Sequence, residues 1–232
     1  CGRSSEPMKA VLNLFKVRIG VAIAFAAAAG LAVERGSTSV GSAVTLVLAV
    51  LFASAAAGAF NQYVARDIDA RMARTQGRPF VTGLLQHGPF WLWVIAALLG
   101  ASVLAAALST NWVAAAYVFL GAFTYVIVYT VWLKRRSWLN VVIGGLAGSF
   151  AVMAGGALAR PELCLPPVLF AGVLFFWSPS HFWSLAIAYK QDYASAHVPM
   201  LPAVPGERRA ARGILANTIG LCTNFSADPL AR

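Results

Sequence analysis

The chain has 232 residues, 59% of them hydrophobic and only 11% charged, with a formal net charge of +10 and a mean hydropathy of +0.72. Soluble domains carry about 25% charged residues, so this composition excludes an ordinary water-soluble enzyme. The basic excess would suit nucleic acid only if it clustered on a water-exposed fold; here it is dispersed between apolar runs, and nucleic acid is not expected as a partner.

A bilayer core requires about 20 consecutive apolar residues per helical span. Lys16 and Arg18 open the first segment, whose charge-free stretch is 19–33. The second, 40–60, has no charge at all. Directly after it comes a dense polar stretch with Asn61, Asp67, Asp69, Arg71, Arg74 and Arg78-Pro79. On a continuing helix Asn61, Ala65 and Asp69 follow at i, i+4 and i+8 and share one face, whereas Asp67 points about 120° or more away from it. A carboxylate and an amide at a membrane boundary can hold magnesium, which uses one or two carboxylates plus phosphate oxygens of a substrate. Nearby arginines can grip the same phosphates in bidentate fashion. A water-satisfied helix end would explain the arginines alone; Asp and Asn within an Arg cluster point to a phosphate-and-metal site.

Residues 90–133 form one uncharged run, long enough for two spans and broken at Ser109-Thr110-Asn111. It ends at Lys134-Arg135-Arg136, with Trp138 and Asn140 beyond. This stretch reads by itself as a basic anchor with interfacial aromatics. The fifth span is 138–159; its Gly144/Gly148 and Gly155-Gly156 predict close helix packing. The sixth, 166–189, holds Pro179 and His181 and leads to Asp192-Tyr193. An ionisable group inside a span is costly and points to function, although His181 could equally serve a carbonyl freed by the proline. His181 and Asp192 are three helical turns apart and share a face if the helix is unbroken.

Six spans follow, and all but three of the 18 Lys and Arg (Arg35, Arg160 and the terminal Arg232) fall on one side. The positive-inside rule makes that side cytoplasmic, or matrix-facing in an organelle, with the N-terminus there too. The aspartate-containing loops after spans two and six therefore lie on the same side. Cys1, Cys164 and Cys222 are scattered and suggest neither a disulfide framework nor a zinc site.

Three blocks in order carry a resemblance. They are Asn61 through Asp67, Asp69, Met72, Arg74-Thr75 and Arg78-Pro79; Lys134-Arg135-Arg136 with Asn140 and Ile143-Gly144-Gly145; and Pro179, His181-Phe182-Trp183, Asp192-Tyr193 and Val198-Pro199-Met200-Leu201-Pro202. Together they resemble the protoheme IX farnesyltransferases (haem O synthases), a family within the UbiA superfamily of intramembrane prenyltransferases. Lys16-Val17-Arg18 is similar to the Lys-Pro-Arg that opens the family's first span, and the resemblance covers residues 11–216.

The resemblance implies an all-α, polytopic transmembrane bundle in which two aspartate loops face each other over a cavity. About six of the family's nine spans are present, so residues 1–213 are expected to form an incomplete membrane domain and 214–232 a degenerate or frameshifted tail of a seventh span. It also implies that Asn61, Asp69 and Asp192 hold magnesium on a diphosphate. Arg74, Arg78, Lys134 and Arg135 would contact that diphosphate, with Asn140 and Tyr193 as further substrate-binding positions and His181 a catalytic candidate near the haem. The implied substrates are farnesyl diphosphate and haem B, and the product haem O. The implied surroundings are membrane lipid and proteins of the haem pathway or of cytochrome oxidase assembly. The bacterial plasma membrane is the expected location, with the mitochondrial inner membrane as alternative.

Two positions depart from the family. Ala65 stands where Asp or Glu is usual, and Ser180 replaces a proline before His181. Three other readings follow: a non-catalytic homologue that binds haem or a partner, a prenyltransferase with another aromatic acceptor, and a transporter. The last would need paired interrupted helices in two halves, and only the Pro179 break is seen.

Overall fold

The computed structural model describes residues 5–34, 36–200 and 207–226, and among these there are helices and no strands. In chain order they are α1 (Ser5–Leu14), α2 (Val17–Val33), α3 (Val40–Val64), α4 (Arg66–Arg71), α5 (Pro79–Thr82), α6 (Pro89–Ser109) and α7 (Trp112–Phe123). The last continues as a π-helix over Thr124–Leu133. Then come α8 (Asn140–Ala159), α9 (Leu165–Ala188), α10 (Lys190–Ser195) and α11 (Glu207–Ser226).

Five helices are long and apolar enough to cross a membrane, and Met8–Leu14 of α1 with α2 meets the same test as a pair bent by 46°, which gives six if the pair is one span. The long apolar run is divided where the sequence predicts. α6 ends at Ser109, and the Asn111 side chain caps α7 by accepting a hydrogen bond from the Ala114 amide at 2.9 Å. The cap satisfies one of the four amides that a helix start leaves open. The bend in the first span sits at Lys16, whose backbone is left-handed (φ 45°). The Gln62 side-chain amide donates to the carbonyls of Asn13 and Leu14 at 2.8 and 3.0 Å, supplying partners for a helix end without water. α11 packs on α9 and is not among the apolar spans. Its Asn217, Thr218 and Thr223 side chains bond back to their own helix.

The core is made of small residues. Ala27, Ala49, Ala53, Ala114, Ala151 and Ala154 are buried together with Leu46, Val50 and Leu158. Between helices in lipid, hydrophobic burial gives little drive, and close van der Waals contact takes over. α2 and α8 therefore cross almost backbone to backbone. A Cβ on Gly155 would overlap the Ala27 carbonyl oxygen, and one on Gly30 would overlap that of Val152. Gly156 faces Pro167, whose Cγ would stand 2.5 Å from an added Cβ. Gly144 lies against the Tyr129 ring, but the nearest atom to an added Cβ on Gly148 is Ile23 Cδ1 at 4.0 Å. Of the four glycines picked out in the sequence, Gly148 alone has room to spare. Phe25, Trp93, Leu108, Trp112 and Leu163 are largely exposed, the pattern of a bundle facing lipid.

Candidate active site

Both aspartate loops are built the same way. A long span stops at a single residue outside helical geometry, and a six-residue helix follows. After α3 that residue is Ala65 (φ −95°, ψ 17°); after α9 it is Tyr189 (φ −110°, ψ 34°). The break does not destroy the register in the first loop. The Ala65 amide donates to the Asn61 carbonyl at 3.0 Å, and the Asp69 amide to that of Ala65 at 2.9 Å. Asn61, Ala65 and Asp69 are accordingly all buried, while the Asp67 side chain is half exposed.

The helix between His181 and Asp192 is interrupted at Tyr189, but here too the bonding carries through, with the Tyr189 amide donating to the Leu185 carbonyl at 3.0 Å and the Tyr193 amide to the Tyr189 carbonyl at 3.2 Å. His181 is exposed, stacked on Trp177 with ring centroids 4.6 Å apart and edge-on to Phe182. Among the described residues no hydrogen bond or ion pair joins His181 to the other candidates.

The remaining candidates come together at one end of the bundle. Arg74 joins the two loops: its backbone amide donates to Asp192 Oδ2 at 3.4 Å and its guanidinium to the Tyr193 hydroxyl at 2.8 Å. The guanidinium also lies over the rings of Tyr193 and Tyr189, at 5.3 and 5.8 Å from their centroids. Ser195 donates to the Arg71 carbonyl at 3.2 Å. Burial pushes the Tyr193 hydroxyl above its ordinary pKa, so it keeps its proton while accepting from Arg74.

Arg78 forms an ion pair with the buried Asp69. Lys134 donates to Asn61 Oδ1 at 3.3 Å, and Asn61 Nδ2 donates to Thr130 Oγ1 at 3.0 Å. Asn140, also buried, donates to the Pro199 carbonyl at 3.3 Å and leaves its own Oδ1 without a partner. Arg135 turns away from the buried face. It pairs with Asp67 at 2.7 Å beside an open groove of about 500 Å³ lined by Tyr63, Arg66 and His87. That pair holds the Asp67 carboxyl below the usual carboxylate range and raises Arg135. Being half exposed, it contributes no more than about 1 kcal/mol.

Three contributors had no signal of their own in composition or spacing. Lys16 runs along α3, its Cδ 3.3 Å from the place a Cβ on Gly58 would take, and it feels the charges of Arg78, Lys134, Asp69 and Arg74. The rings of Tyr125 and Tyr129 have centroids 5.1 Å apart; Tyr125 lies within electrostatic reach of Arg78 and Asp69, and Tyr129 of Arg74 and Arg78.

The sum is an excess of cations, Arg74, Arg78 and Lys134, around the two carboxylates Asp69 and Asp192, with the buried Lys16 amine beside them. Such an arrangement calls for a multiply charged anion. Among the described residues no point gathers three or more His, Cys, Asp or Glu, so a cage made wholly of such side chains is not present there. Two carboxylates and the Asn61 amide oxygen fit magnesium, which completes its octahedron with water and substrate oxygens. Asp69 fits this part because Arg78 occupies Oδ2 alone.

Lys134 gives the site a pH dependence. Burial pushes its pKa down to about 8, against the pull of Asp69. The ammonium is charged below pH 8 and neutral above it, so affinity for an anionic diphosphate should fall as pH rises through about 8. Stability runs the other way: the unfolded lysine holds its proton up to 10.5, so this group's contribution to stability rises between about 8 and 10.5. The dissociation constant for inorganic diphosphate measured from pH 6.5 to 9.5 should increase through that window. Lys134→Arg, which stays charged, should flatten the profile; an unchanged profile would remove Lys134 from the binding step.

The family profile described as the UbiA prenyltransferase family matches residues 22–230. Protoheme IX farnesyltransferase 2 of Paramagnetospirillum magneticum is 52% identical over 230 residues, covering 96% of this chain and 80% of that protein. Protoheme IX farnesyltransferase 1 of the same organism is 47% identical, covering 90% and 73%. The fold matches a UbiA homolog from Archaeoglobus fulgidus bound to DMAPP and Mg2+ with a TM-score of 0.80 at 19% identity, covering 93% of this chain and 76% of that one. An integral membrane bundle with this profile and these relatives belongs to the UbiA prenyltransferase family.

Proposed function

We propose that the chain transfers a farnesyl group from farnesyl diphosphate to a vinyl group of haem B, giving haem O. The observation that carries the reading is the joining of the two aspartate loops through Arg74, with Asp69 and Asp192 set among Lys16, Arg78 and Lys134. The names of the 52% and 47% identical relatives support haem as the acceptor, and the solved homologs with magnesium and prenyl diphosphates support the donor class.

In this reading Asn61, Asp69 and Asp192 hold magnesium, which supplies Lewis-acid stabilisation of the leaving diphosphate. Arg74, Arg78, Lys134 and Lys16 bind the diphosphate oxygens and stabilise the charge that develops as the allylic C–O bond breaks. The bond's electron pair leaves with the diphosphate. Tyr125 and Tyr129 present aromatic faces to the allylic cation. The vinyl π electrons of haem form the new C–C bond, and water captures the resulting cation and loses a proton. The exposed ring pair His181–Trp177 is assigned to the haem side, as a flat surface with a nitrogen for a propionate. Arg135, held by Asp67, is assigned to the diphosphate as an outer contact that must exchange partners. Asn140 and Tyr193 position the second loop. The membrane is the bacterial plasma membrane, with this end of the bundle facing the cytoplasm, as the relatives' bacterial sources and the basic loops support.

The test is the product. The chain in lipid nanodiscs with magnesium, farnesyl diphosphate and haem B should yield a haem carrying one added farnesyl group and one added hydroxyl group by mass spectrometry. Diphosphate release with a quinone precursor and none with haem would replace haem as the acceptor. Release with neither would favour a non-catalytic homologue.

A further inference from the structure

We propose that Thr130 is a positioning residue that fixes which way the Asn61 amide faces, and that the π-helix of the fourth span exists to place it. The proposal rests on the reading of Asn61 as a metal ligand, and it concerns a residue for which neither sequence motif nor charge gives a signal.

An amide can serve a metal only through its oxygen, yet a 180° flip exchanges Oδ1 for the donor nitrogen at almost no steric cost. Two neighbours remove that freedom here. Thr130 is 1% exposed and has a single hydroxyl proton, which it donates to the Tyr125 carbonyl at 2.8 Å. The hydroxyl oxygen is thereby left as an acceptor, and Asn61 Nδ2 donates to it at 3.0 Å. On the other side Lys134, which can only donate, meets Asn61 Oδ1 at 3.3 Å. Both constraints demand the same orientation: nitrogen toward the helix, oxygen toward the charged end of the site.

The helix geometry is part of the device. Thr124–Leu133 is π-helical, and the Thr130 hydroxyl reaches the carbonyl five residues back. The Lys134 amide likewise bonds the Tyr129 carbonyl, five residues back, at 2.8 Å. A wide turn of this kind inside a span is rare and recurs at functional sites. Here it delivers two side chains, four residues apart, to the two ends of one amide.

The experiment compares manganese binding by electron paramagnetic resonance, in the presence of an unreactive farnesyl diphosphate analogue, for the unaltered chain, Asn61→Ala, Thr130→Val and Thr130→Ser. Thr130→Val keeps shape but removes the acceptor, so it should weaken manganese binding about tenfold. Thr130→Ser should restore it to within about twofold. The magnesium concentration for half-maximal turnover should follow the same order, with the KM for farnesyl diphosphate at saturating magnesium little changed. A purely structural role would lower thermal stability without moving metal affinity. If Asn61→Ala weakens binding and Thr130→Val, still folded, does not, the positioning role is overturned while Asn61 stands. If Asn61→Ala has no effect, both are overturned. Should Thr130→Val fail to fold, Thr130→Ala against Thr130→Ser carries the same comparison.

Discussion

Asp69→Asn is expected to lower prenyl transfer by about a thousand-fold or more, equivalent to about 4 kcal/mol of transition-state stabilisation. The change keeps size and removes the charge. Asp69 is buried and paired with Arg78, so its loss removes a negative ligand where screening by water is weakest. It also leaves Arg78 without its counter-charge in a partly buried position, a separate cost that thermal denaturation will show. Asp67→Asn is the internal control. It lies two residues away, is half exposed and pairs with Arg135, so turnover should fall no more than about threefold, in line with a surface pair. Steady-state rates of both variants, measured alongside their melting temperatures, separate chemistry from folding. A larger loss from Asp67→Asn than from Asp69→Asn would reverse the assignment of the two faces.

Gly155→Leu should abolish folded protein. The new side chain would start inside the Ala27 carbonyl, and α2 and α8 would have to separate along their whole contact. Overpacking a core commonly costs roughly 1–3 kcal/mol; here the obstacle is backbone, which cannot rotate aside as a side chain can. Gly148→Ala, one heptad earlier on the same helix, meets nothing closer than 4.0 Å and should leave expression and melting temperature unchanged. Fluorescence-detected size exclusion of the two variants in detergent makes the comparison. A monodisperse Gly155→Leu peak at normal yield would mean that the two helices do not cross as described.

The sequence makes the spans legible because a bilayer imposes a length and a composition on each. It divides 90–133 at Thr110 for the same reason, since Ser109-Thr110-Asn111 is the run's polar interruption and Asn111 a capping residue. Which loops share an end was readable from parity, and the contacts of Arg74 with Asp192 and Tyr193 agree with it. The face of Asn61 and Asp69 was readable because α-helical bonding persists through Ala65. Helical periodicity could not foresee that His181 is exposed and stacked on Trp177, although the bonding through Tyr189 persists as it does through Ala65. It was equally blind to Thr130, because a π-helix departs from the 3.6-residue turn on which any face assignment depends. Ala65 shows a limit of motif comparison. It marks a missing carboxylate by resemblance, but in the fold it is 1% exposed and packs with Ile68, Met72, Tyr193 and Val198, so the alanine completes an apolar contact between the two loops.

A double-mutant cycle on analogue binding tests most directly whether those loops make one metal–diphosphate site. Affinity for an unreactive farnesyl diphosphate analogue would be titrated with and without magnesium for the unaltered chain, Asp69→Asn, Asp192→Asn and the double variant. Residues that hold one ion act as a unit, and their effects do not add. Each single change should remove the magnesium-dependent part of the affinity, and the double variant should lose no more than either. Independent, additive losses, or an Asp192→Asn chain whose magnesium dependence is intact, would contradict a shared site.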